Sequence, residues 1–240
     1  MKKVLVLLGT YRKQNTYNII QQIEEILNKN DISMEIVHLN KYDIKNCVGC
    51  ECCINTNKCN IKDETEIIID KMISSDGIIL ASPVYLLQVS GMMKTFIDRT
   101  CKIYHRPLLI KKPVLSVVTT KGSGLKNTSK YLTSVGLQWG MMDGGNIGRS
   151  IFNIDKKVEI KELKKYIHLL DQPSDYHPKL KELIDFEIQK SLAVYLKGLD
   201  LDYWQSNKLL GAYYFFPCKI NIFKRGISQL VGQIVRNKMK

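Results

Sequence analysis

Five cysteines lie between residues 47 and 59 and form a group of soft metal-ligating side chains. Four of them, Cys47, Cys50, Cys53 and Cys59, have the spacing C-x2-C-x2-C-x5-C, and Cys52 is an additional thiol. Thiolates two residues apart can converge on one iron-sulfur cluster or one zinc ion. We therefore predict a metal or redox site on this loop, with the four spaced cysteines as its ligands.

Three kinds of chemistry are compatible with these cysteines. A [4Fe-4S] cluster needs four thiolates, and this one loop supplies them. Lys45, Lys58 and Lys62 are near in sequence and could instead make the thiols more acidic and therefore reactive. Zinc is the third alternative, because four cysteines also satisfy a structural tetrahedral site. The other cysteines, Cys52, Cys101 and Cys218, are predicted to be packed or free thiols rather than ligands.

The composition is typical of a globular protein that is long enough to bury a complete core. The chain has 240 residues, 45% hydrophobic and 25% charged, with a formal net charge of +13. The apolar run Val4–Leu8 is too short for a signal peptide, and no run approaches the roughly 18 apolar residues of a membrane span. With seven cysteines and no export signal, we predict a reducing, cytoplasmic location. No nucleic-acid motif accompanies the charge, so we expect a solvated basic surface rather than a nucleic-acid partner.

Strand and helix signals alternate over the first 150 residues, which predicts an α/β domain with a parallel sheet and helices on both faces. The predicted strands are Val4–Leu8, Ile32–Leu39, Gly77–Ala81, Pro113–Thr119 and about Leu137–Ile147. The first predicted helix follows a cap at Asn15 or Thr16 and has Ile19, Ile23, Ile26 and Leu27 on one face. Three further helices are predicted at Glu64–Ile73, Ser90–Tyr104 and Lys126–Val135.

After residue 150 the pattern indicates only helices, so we predict a helical C-terminal extension over residues 151–240. These helices are predicted at Asp155–Leu170, Pro178–Leu196 and Ile222–Met239. The last one has apolar residues at helical spacing among basic ones, namely Phe223, Ile227, Leu230, Val231 and Ile234. We expect this apolar stripe to pack on the sheet domain or on a partner subunit. Contact with an anionic membrane surface is the alternative, which we do not favour.

Three loops follow the first, third and fourth predicted strands, where open α/β sheets bind ligands. The loop Gly9–Thr16 offers hydroxyls, amides and a cation at a helix N-terminus, which suits a phosphate, although such residues also cap helices. Ser82–Tyr85 adds an aromatic ring, and Thr119–Gly124 adds backbone amides that a ligand can approach closely. Because all three loops meet at one edge of the sheet, we predict a nucleotide-like ligand there.

These loops and the cysteines are parts of a longer pattern. Gly9-Thr10-x-Arg12 precedes the cysteines, and Asp76-Gly-Ile-Ile-Leu-Ala-Ser-Pro-Val-Tyr85 and Ser90-Gly91-x-x-Lys94-x-Phe96-x-Asp98-Arg99 follow them. Over about residues 1–125, the sequence resembles the flavodoxin-like NADPH-dependent FMN reductase family. It is especially similar to the branch called iron-sulfur flavoproteins.

The resemblance implies a doubly wound, five-stranded parallel sheet of order 2-1-3-4-5 that binds FMN. It puts the phosphate on the Thr10–Thr16 loop and the isoalloxazine ring between the Pro83–Tyr85 and Thr119–Gly124 loops. The cofactor-binding residues that it implies are Gly9, Thr10, Arg12, Asn15, Thr16, Pro83, Val84, Tyr85, Thr119, Thr120 and Gly122. A homodimer or tetramer is implied too, because the flavin site of such proteins commonly lies near a subunit interface.

The function that the resemblance implies is an FMN-dependent oxidoreductase. It would be either a NAD(P)H-dependent flavin or quinone reductase, or a protein that moves electrons between a cluster and FMN. The flavin carries the chemistry, so no catalytic side chain is predicted. The expected partners are NAD(P)H, a small-molecule electron acceptor or a ferredoxin-type donor. The alternative function is a non-enzymatic electron carrier or metal-binding module in which only the cysteine loop is used.

Overall fold

A computed structural model describes residues 1–239 and contains one five-stranded sheet. The strands are β1 (Lys2–Leu8), β2 (Ile32–His38), β3 (Gly77–Pro83), β4 (Pro113–Thr119) and β5 (Met142–Arg149). The α-helices are α1 (Asn15–Asn28), α2 (Cys52–Thr56), α3 (Thr65–Ser74), α4 (Gly91–Asp98), α5 (Cys101–His105), α6 (Leu125–Gln138), α7 (Ile160–Asp171), α8 (Leu180–Leu196), α9 (Gly198–Ser206) and α10 (Ile222–Lys238). All neighbouring strands are parallel, in the order β2-β1-β3-β4-β5. The flavodoxin-like architecture predicted from the sequence is therefore confirmed.

The sheet is buried on both faces, as the nearly continuous apolar strands predict. In β1, Leu5 and Leu7 contribute to one hydrophobic core, and Val4, Val6 and Leu8 contribute to the other. Successive side chains of a strand point to opposite faces, so a single apolar run serves both cores. Helices α3, α4 and α6 cover the first face, and α1 and α7 cover the second.

Helix α7 lies beyond residue 150 in the chain, yet it packs directly on the sheet. Its Leu163, Tyr166 and Leu170 belong to the same core as α1. Gly144 in β5 makes this close approach possible, because a Cβ atom there would lie 2.6 Å from Cδ2 of Tyr166. The sequence division at residue 150 stays a prediction, and α7 is a helix beyond that division that shares a core with the sheet.

Helices α8 and α9 and the segment 209–216 enclose a separate aromatic core. The rings of Phe186 and Phe215 meet edge to face with their centroids 4.9 Å apart, and Trp204 is fully buried beside them. Such pairs stabilise a core beyond the area that they bury. The aromatic residues of the tail therefore fold into a core of their own. Over residues 1–239, every helix falls short of the length and apolar character required to cross a bilayer.

Helix α10 packs on α8 through small residues and not through its apolar stripe. Ser228 and Gly232 are buried against α8, and a Cβ atom on Gly232 would lie 2.7 Å from Oε2 of Glu187. Phe223 and Leu230 are 78% and 59% exposed in the single chain. The expected packing of this stripe on the sheet domain is therefore not what the structure shows, and packing on a partner subunit stays a prediction.

Helix α7 begins at Ile160 instead of the predicted Asp155, because Glu159 is its N-cap and forms a capping box with Glu162. Two further predicted boundaries were wrong for local reasons. The helix predicted over Ser90–Tyr104 is divided into α4 and α5 around Thr100, whose hydroxyl donates to the carbonyl of Ile97 and accepts from Nε1 of Trp139. Hydroxyls that bond to nearby backbone carbonyls compete with helix continuation. Strand β5 begins at Met142 instead of about Leu137, because α6 continues to Gln138 and Gly140 ends it with a φ of +89°.

Candidate functional site

A crevice of about 210 Å³ lies at the carboxyl edge of the sheet, at the ends of β1, β3 and β4. Its lining residues are Thr10, Arg12, Gln14, Asn15, Thr16, Pro83, Val84, Tyr85, Thr119, Thr120 and Lys121. The three loops that the sequence assigns to a nucleotide-like ligand therefore converge on one cavity. Parallel strands end at the same edge of a sheet, so this convergence follows directly from the strand order.

The N-terminus of α1 faces this crevice without a side-chain cap. The N-cap residue is Gln14, and its side chain makes no capping hydrogen bond. The sequence prediction that Asn15 or Thr16 caps the helix was therefore wrong, because both residues lie inside its first turn. The first amides of a helix have no partner within the helix and attract anions. They are available here to a phosphate group, beside the cation of Arg12.

Hydrogen bonds between the loops fix the shape of the crevice. Thr16 and Thr119 share a hydrogen bond of 2.6 Å between their Oγ1 atoms, and the amide of Val84 donates to the carbonyl of Thr119 at 2.8 Å. Gly124 has a φ of +90°, and a Cβ atom there would lie 3.0 Å from Cα of Leu87. A glycine is required at this position, because a side chain would be both strained and crowded.

Nine of the eleven predicted cofactor-binding residues line the crevice, and two glycines do not. Gly9 continues the pairing of β1 with β3, and a Cβ atom there would lie 2.8 Å from Oγ of Ser90. The amide of Gly122 donates to Oγ1 of Thr120, so Gly122 stabilises the loop without lining the crevice. Two further lining residues, Gln14 and Lys121, were not predicted as cofactor-binding residues. Both lie inside the predicted loops, so a prediction that included every residue of each loop would have contained them.

The cysteine loop forms a second cavity, which Cys47, Cys50, Cys53 and Cys59 all line. A fifth thiol, that of Cys101 in α5, lines the same cavity although it lies 42 residues further along the chain than Cys59. Sequence spacing gave no signal for Cys101. Cys52 is not among the lining residues, and its Sγ accepts a hydrogen bond of 3.0 Å from Nδ2 of Asn60. All seven cysteines are free thiols in this structure.

The environment of these thiols is not the one expected for lysine-activated nucleophiles. Burial raises the pKa of Cys53 and of Cys101. A hydrogen bond with the Cys50 side chain raises the pKa of Cys52, whereas the backbone amide of Cys52 lowers the pKa of Cys50. The main causes are thus burial, backbone amides and neighbouring thiols, and not Lys45, Lys58 and Lys62. Activation of the thiols by lysines is therefore not supported, whereas the backbone amide of Cys52 does make the Cys50 thiol more acidic.

The positions of the thiols also bear on the kind of metal centre. Within residues 1–239, no three Cys, His, Asp or Glu side chains converge closely enough to ligate one ion. Zinc with four thiolates requires such convergence, since each Zn–S bond is only about 2.3 Å long. A four-iron cluster gives each thiolate its own iron and holds the thiolates further apart. Four thiols around one cavity are compatible with a cluster, and zinc stays the open alternative.

Arg99 holds the second half of the cysteine loop. Its guanidinium donates to the carbonyl of Lys45 at 2.9 Å, to Sγ of Cys59 at 3.3 Å and to the carboxylate of Asp63. The Arg99 and Asp63 side chains are 2% and 1% exposed. This ion pair has no signal in the sequence, because its two residues are 36 positions apart.

The Arg99–Asp63 ion pair predicts acid sensitivity of this region. Burial alone raises the pKa of Asp63, but hydrogen bonds from Arg99 and from the amides of Lys45 and Thr65 outweigh it and lower the pKa to about 2. A lowered pKa stabilises the fold fully above the unfolded value near 3.8, and this stabilisation is lost as the pH falls toward 2. An Asp63→Asn variant should lose roughly 3–5 kcal/mol in urea unfolding at pH 7. Its deficit relative to the unaltered protein should shrink below pH 4.

The matched control is Asp185→Asn, which removes an i,i+4 ion pair with Lys181 in which the side chains are 67% (Lys181) and 23% (Asp185) exposed. Exposed pairs of this kind contribute about 0.3–0.5 kcal/mol, so this variant should differ little from the unaltered protein. Equal losses in the two variants at pH 7 would contradict the role assigned to Asp63.

The crevice and the cysteine cavity are separate sites with no lining residue in common. Helix α4 connects their neighbourhoods. The amide of its N-cap, Ser90, donates a hydrogen bond to Oγ of Ser82 near the crevice, while Asp98 and Arg99 at its other end line the cysteine cavity. The eight residues of α4 span about 12 Å.

Comparison with known proteins gives consistent results. The NADPH-dependent FMN reductase family matches residues 2–159. An iron-sulfur flavoprotein of Archaeoglobus fulgidus is 30% identical over 217 residues, which cover 85% of this chain and 97% of that protein. An iron-sulfur flavoprotein of Clostridioides difficile is 30% identical over 186 residues, which cover 74% of this chain and 80% of that protein.

Solved structures share the fold. RosB, solved with bound 8-demethyl-8-formylriboflavin-5'-phosphate, aligns with a TM-score of 0.58 at 12% identity over 92% of each chain. The apo form of the NADH:FMN oxidoreductase EMOB aligns with a TM-score of 0.51 at 16% identity, over 72% of this chain and 88% of that one. The sequence matches, with the sheet order and the crevice at its carboxyl edge, show that the chain belongs to the NADPH-dependent FMN reductase family.

Proposed function

We propose that this protein is an FMN-dependent oxidoreductase that binds FMN in the crevice and a [4Fe-4S] cluster on the cysteine loop. The observation that carries the proposal is that one chain has two separate cavities, each lined by the groups that one redox cofactor needs. Family membership supports FMN chemistry, and the curated relatives compared above are named iron-sulfur flavoproteins.

For the crevice, we propose that the phosphate of FMN binds at the N-terminus of α1. The free amides of the first turn, the hydroxyl of Thr10 and the cation of Arg12 are complementary to a dianion. The ring would then lie between Tyr85 and the Thr119–Gly124 loop. Bound FMN supplies hydride and single-electron chemistry, and the protein supplies binding, orientation and electrostatics.

For the cysteine loop, we propose that Cys47, Cys50, Cys53 and Cys59 ligate the cluster. The four thiols line one cavity, and Arg99 donates to the sulfur of Cys59. Hydrogen bonds to cluster sulfurs and burial are among the factors that set a cluster's reduction potential. This donor set fits a cluster, because it is rich in thiols and held in place by buried groups.

Two classes of electron partner remain distinct proposals. Electron transfer from NAD(P)H to a small-molecule acceptor would make the protein a reductase. The family is that of NADPH-dependent FMN reductases, which favours this class. A ferredoxin-type donor alone would make it an electron carrier. Oxidation of NAD(P)H with an artificial acceptor supports the first, and electron exchange with reduced ferredoxin alone supports the second.

The decisive measurement is an absorbance spectrum with iron and sulfide analysis of protein purified without oxygen. We expect flavin bands and about four irons and four sulfides per chain, the content of one [4Fe-4S] centre. Flavin bands without iron would remove the cluster and leave the reductase. Colourless protein with no affinity for FMN in calorimetry would overturn the whole proposal.

We also propose a homo-oligomer that uses the apolar rim of the crevice. Leu86 and Leu87 form the tip of a tight hairpin, both with positive φ, and Leu86 is 99% exposed. Phe152, after β5 at the same edge of the sheet, is 96% exposed. Large apolar side chains in strained, exposed positions indicate a surface that another chain covers.

A Leu86→Asp variant should therefore shift the protein toward monomer in light scattering coupled to size exclusion. The comparison variant is Phe223→Asp, because Phe223 is also exposed and apolar but lies on the α10 stripe, which is the other predicted subunit contact. If only the Phe223 variant dissociates, the interface lies on the α10 stripe and not at the crevice. Binding of the unaltered protein to anionic vesicles in co-sedimentation would instead support the membrane alternative for α10.

A further inference from the structure

One face of α9 is directed at a short segment of the sheet domain. Asp200, Tyr203 and Trp204 have i, i+3 and i+4 spacing, which places them on one side of the helix. Nε1 of Trp204 donates to the carbonyl of His105 at 3.0 Å, and the hydroxyl of Tyr203 donates to the carbonyl of Pro107. The C-terminal extension is thus attached to the end of α5 by specific hydrogen bonds.

Asp200 connects this attachment to the cysteine loop through Arg106. The Asp200 carboxylate accepts from the guanidinium of Arg106 and lies 2.8 Å from Nδ1 of His105. The same guanidinium donates to the carbonyls of Cys53 at 2.7 Å and Ile54 at 3.1 Å. The Arg106 and Asp200 side chains are 7% and 4% exposed. One buried arginine therefore joins the extension to the helix that contains a proposed cluster ligand.

Helix α2 depends on support from outside, because it has only five residues, all at least partly exposed. Glu51 and Asn57, on either side of it, both have a positive φ. A helix this short is not stable by itself, and the carbonyls of its last turn have no partner within the helix. Arg106 provides partners for two carbonyls of α2. Without Asp200, Arg106 would be a buried cation that lacks its carboxylate, which is strongly unfavourable.

We infer that α9 positions the cysteine loop for the cluster, through the chain of contacts from Asp200 to Arg106 to the carbonyls of Cys53 and Ile54. Asp200 and Arg106 are positioning residues that do not touch the cluster. Arg99 holds the Cys59 end of the loop, and Arg106 holds its middle. The inference rests on the proposed function for the cluster, but the order of the loop itself does not require metal.

The test compares Asp200→Asn with Asp200→Glu as the conservative variant. The control is Glu187→Gln, which removes another buried carboxylate of the extension, one that pairs with Lys190 and Arg236 away from the cysteine loop. The first readout is hydrogen exchange of the α2 amides in metal-free protein. The second is the rate at which a chelator removes iron from the anaerobically prepared holoprotein. FMN affinity, measured in every variant, reports whether the sheet domain has folded.

We expect Asp200→Asn to raise α2 exchange and iron loss by about tenfold or more, with FMN affinity unchanged. Asp200→Glu keeps the negative charge and should raise α2 exchange and iron loss less than Asp200→Asn does. Glu187→Gln should change neither quantity. Unaltered α2 exchange in Asp200→Asn would overturn the inference, and so would an equal effect of Glu187→Gln. If Asp200→Asn loses FMN as well, α2 exchange and iron loss are measured in Tyr203→Phe, which removes only the bond from α9 to Pro107. An increase in both supports the inference, and unaltered values overturn it. Unaltered protein without iron would refute the proposed cluster, while the exchange measurement would still decide whether α9 orders the loop.

Discussion

A Cys53→Ser variant is expected to lose essentially all of its iron and sulfide while retaining FMN. Cys53 lines the cysteine cavity, and its backbone carbonyl is held by Arg106, so its thiol is fixed at the wall of the proposed site. A serine hydroxyl is a poor ligand for iron, since clusters are held by soft thiolates. Loss of an outer-shell partner already costs roughly 10- to 100-fold in metal affinity, and loss of a direct ligand should cost more. Iron and sulfide analysis with the visible spectrum measures the result.

Cys52→Ser is the matched control, because it makes the same chemical change one residue earlier. Cys52 does not line the cavity, and its sulfur accepts from Asn60. This variant should keep its full iron content. Cys101→Ser is the further comparison, because Cys101 lines the cavity although it lies outside the sequence motif. Iron retained by Cys53→Ser and lost by Cys101→Ser would show that the spacing of the motif names the wrong set of ligands.

The parts of the fold that depend on a few neighbouring residues could be predicted from the local sequence. The apolar strands β1, β3 and β4 could be predicted within a few residues, because burial on both faces demands a continuous apolar run. The crevice followed from them, because the carboxyl ends of parallel strands must meet at one edge. The family resemblance then supplied the strand order, which no local pattern contains.

Contacts between distant residues could not be predicted in the same way. Arg106 and Asp200 are 94 positions apart, and an arginine that follows a histidine gives no sign of which carboxylate it will meet. Helix α9 was missed because its Asp200, Tyr203 and Trp204 form a mixed polar and aromatic face rather than an apolar stripe. Both omissions concern the support of the cysteine loop. The proposed ligands could therefore be named from the sequence, whereas the groups that hold the loop in place could not.

An Arg12→Glu variant is expected to raise the dissociation constant of FMN by about 10- to 100-fold. Arg12 lines the crevice beside the uncapped N-terminus of α1, where the phosphate is proposed to bind. A hydrogen bond to a charged group contributes about 1.5–3 kcal/mol, and each 1.4 kcal/mol corresponds to a tenfold change in affinity. Calorimetry with the apoprotein at fixed ionic strength measures the change.

A control for Arg12→Glu must separate a contact with the phosphate from the overall charge of the protein. Lys13→Glu makes the same charge change one residue later, and Lys13 lies over the ring of Tyr17 rather than in the crevice. Exposed charges act weakly through water, so this control should weaken FMN binding only slightly. Riboflavin lacks the phosphate, and its affinity should be nearly the same in Arg12→Glu as in the unaltered protein. If Arg12→Glu weakens riboflavin as much as FMN, the arginine contacts the ring, and the phosphate must bind elsewhere along the crevice.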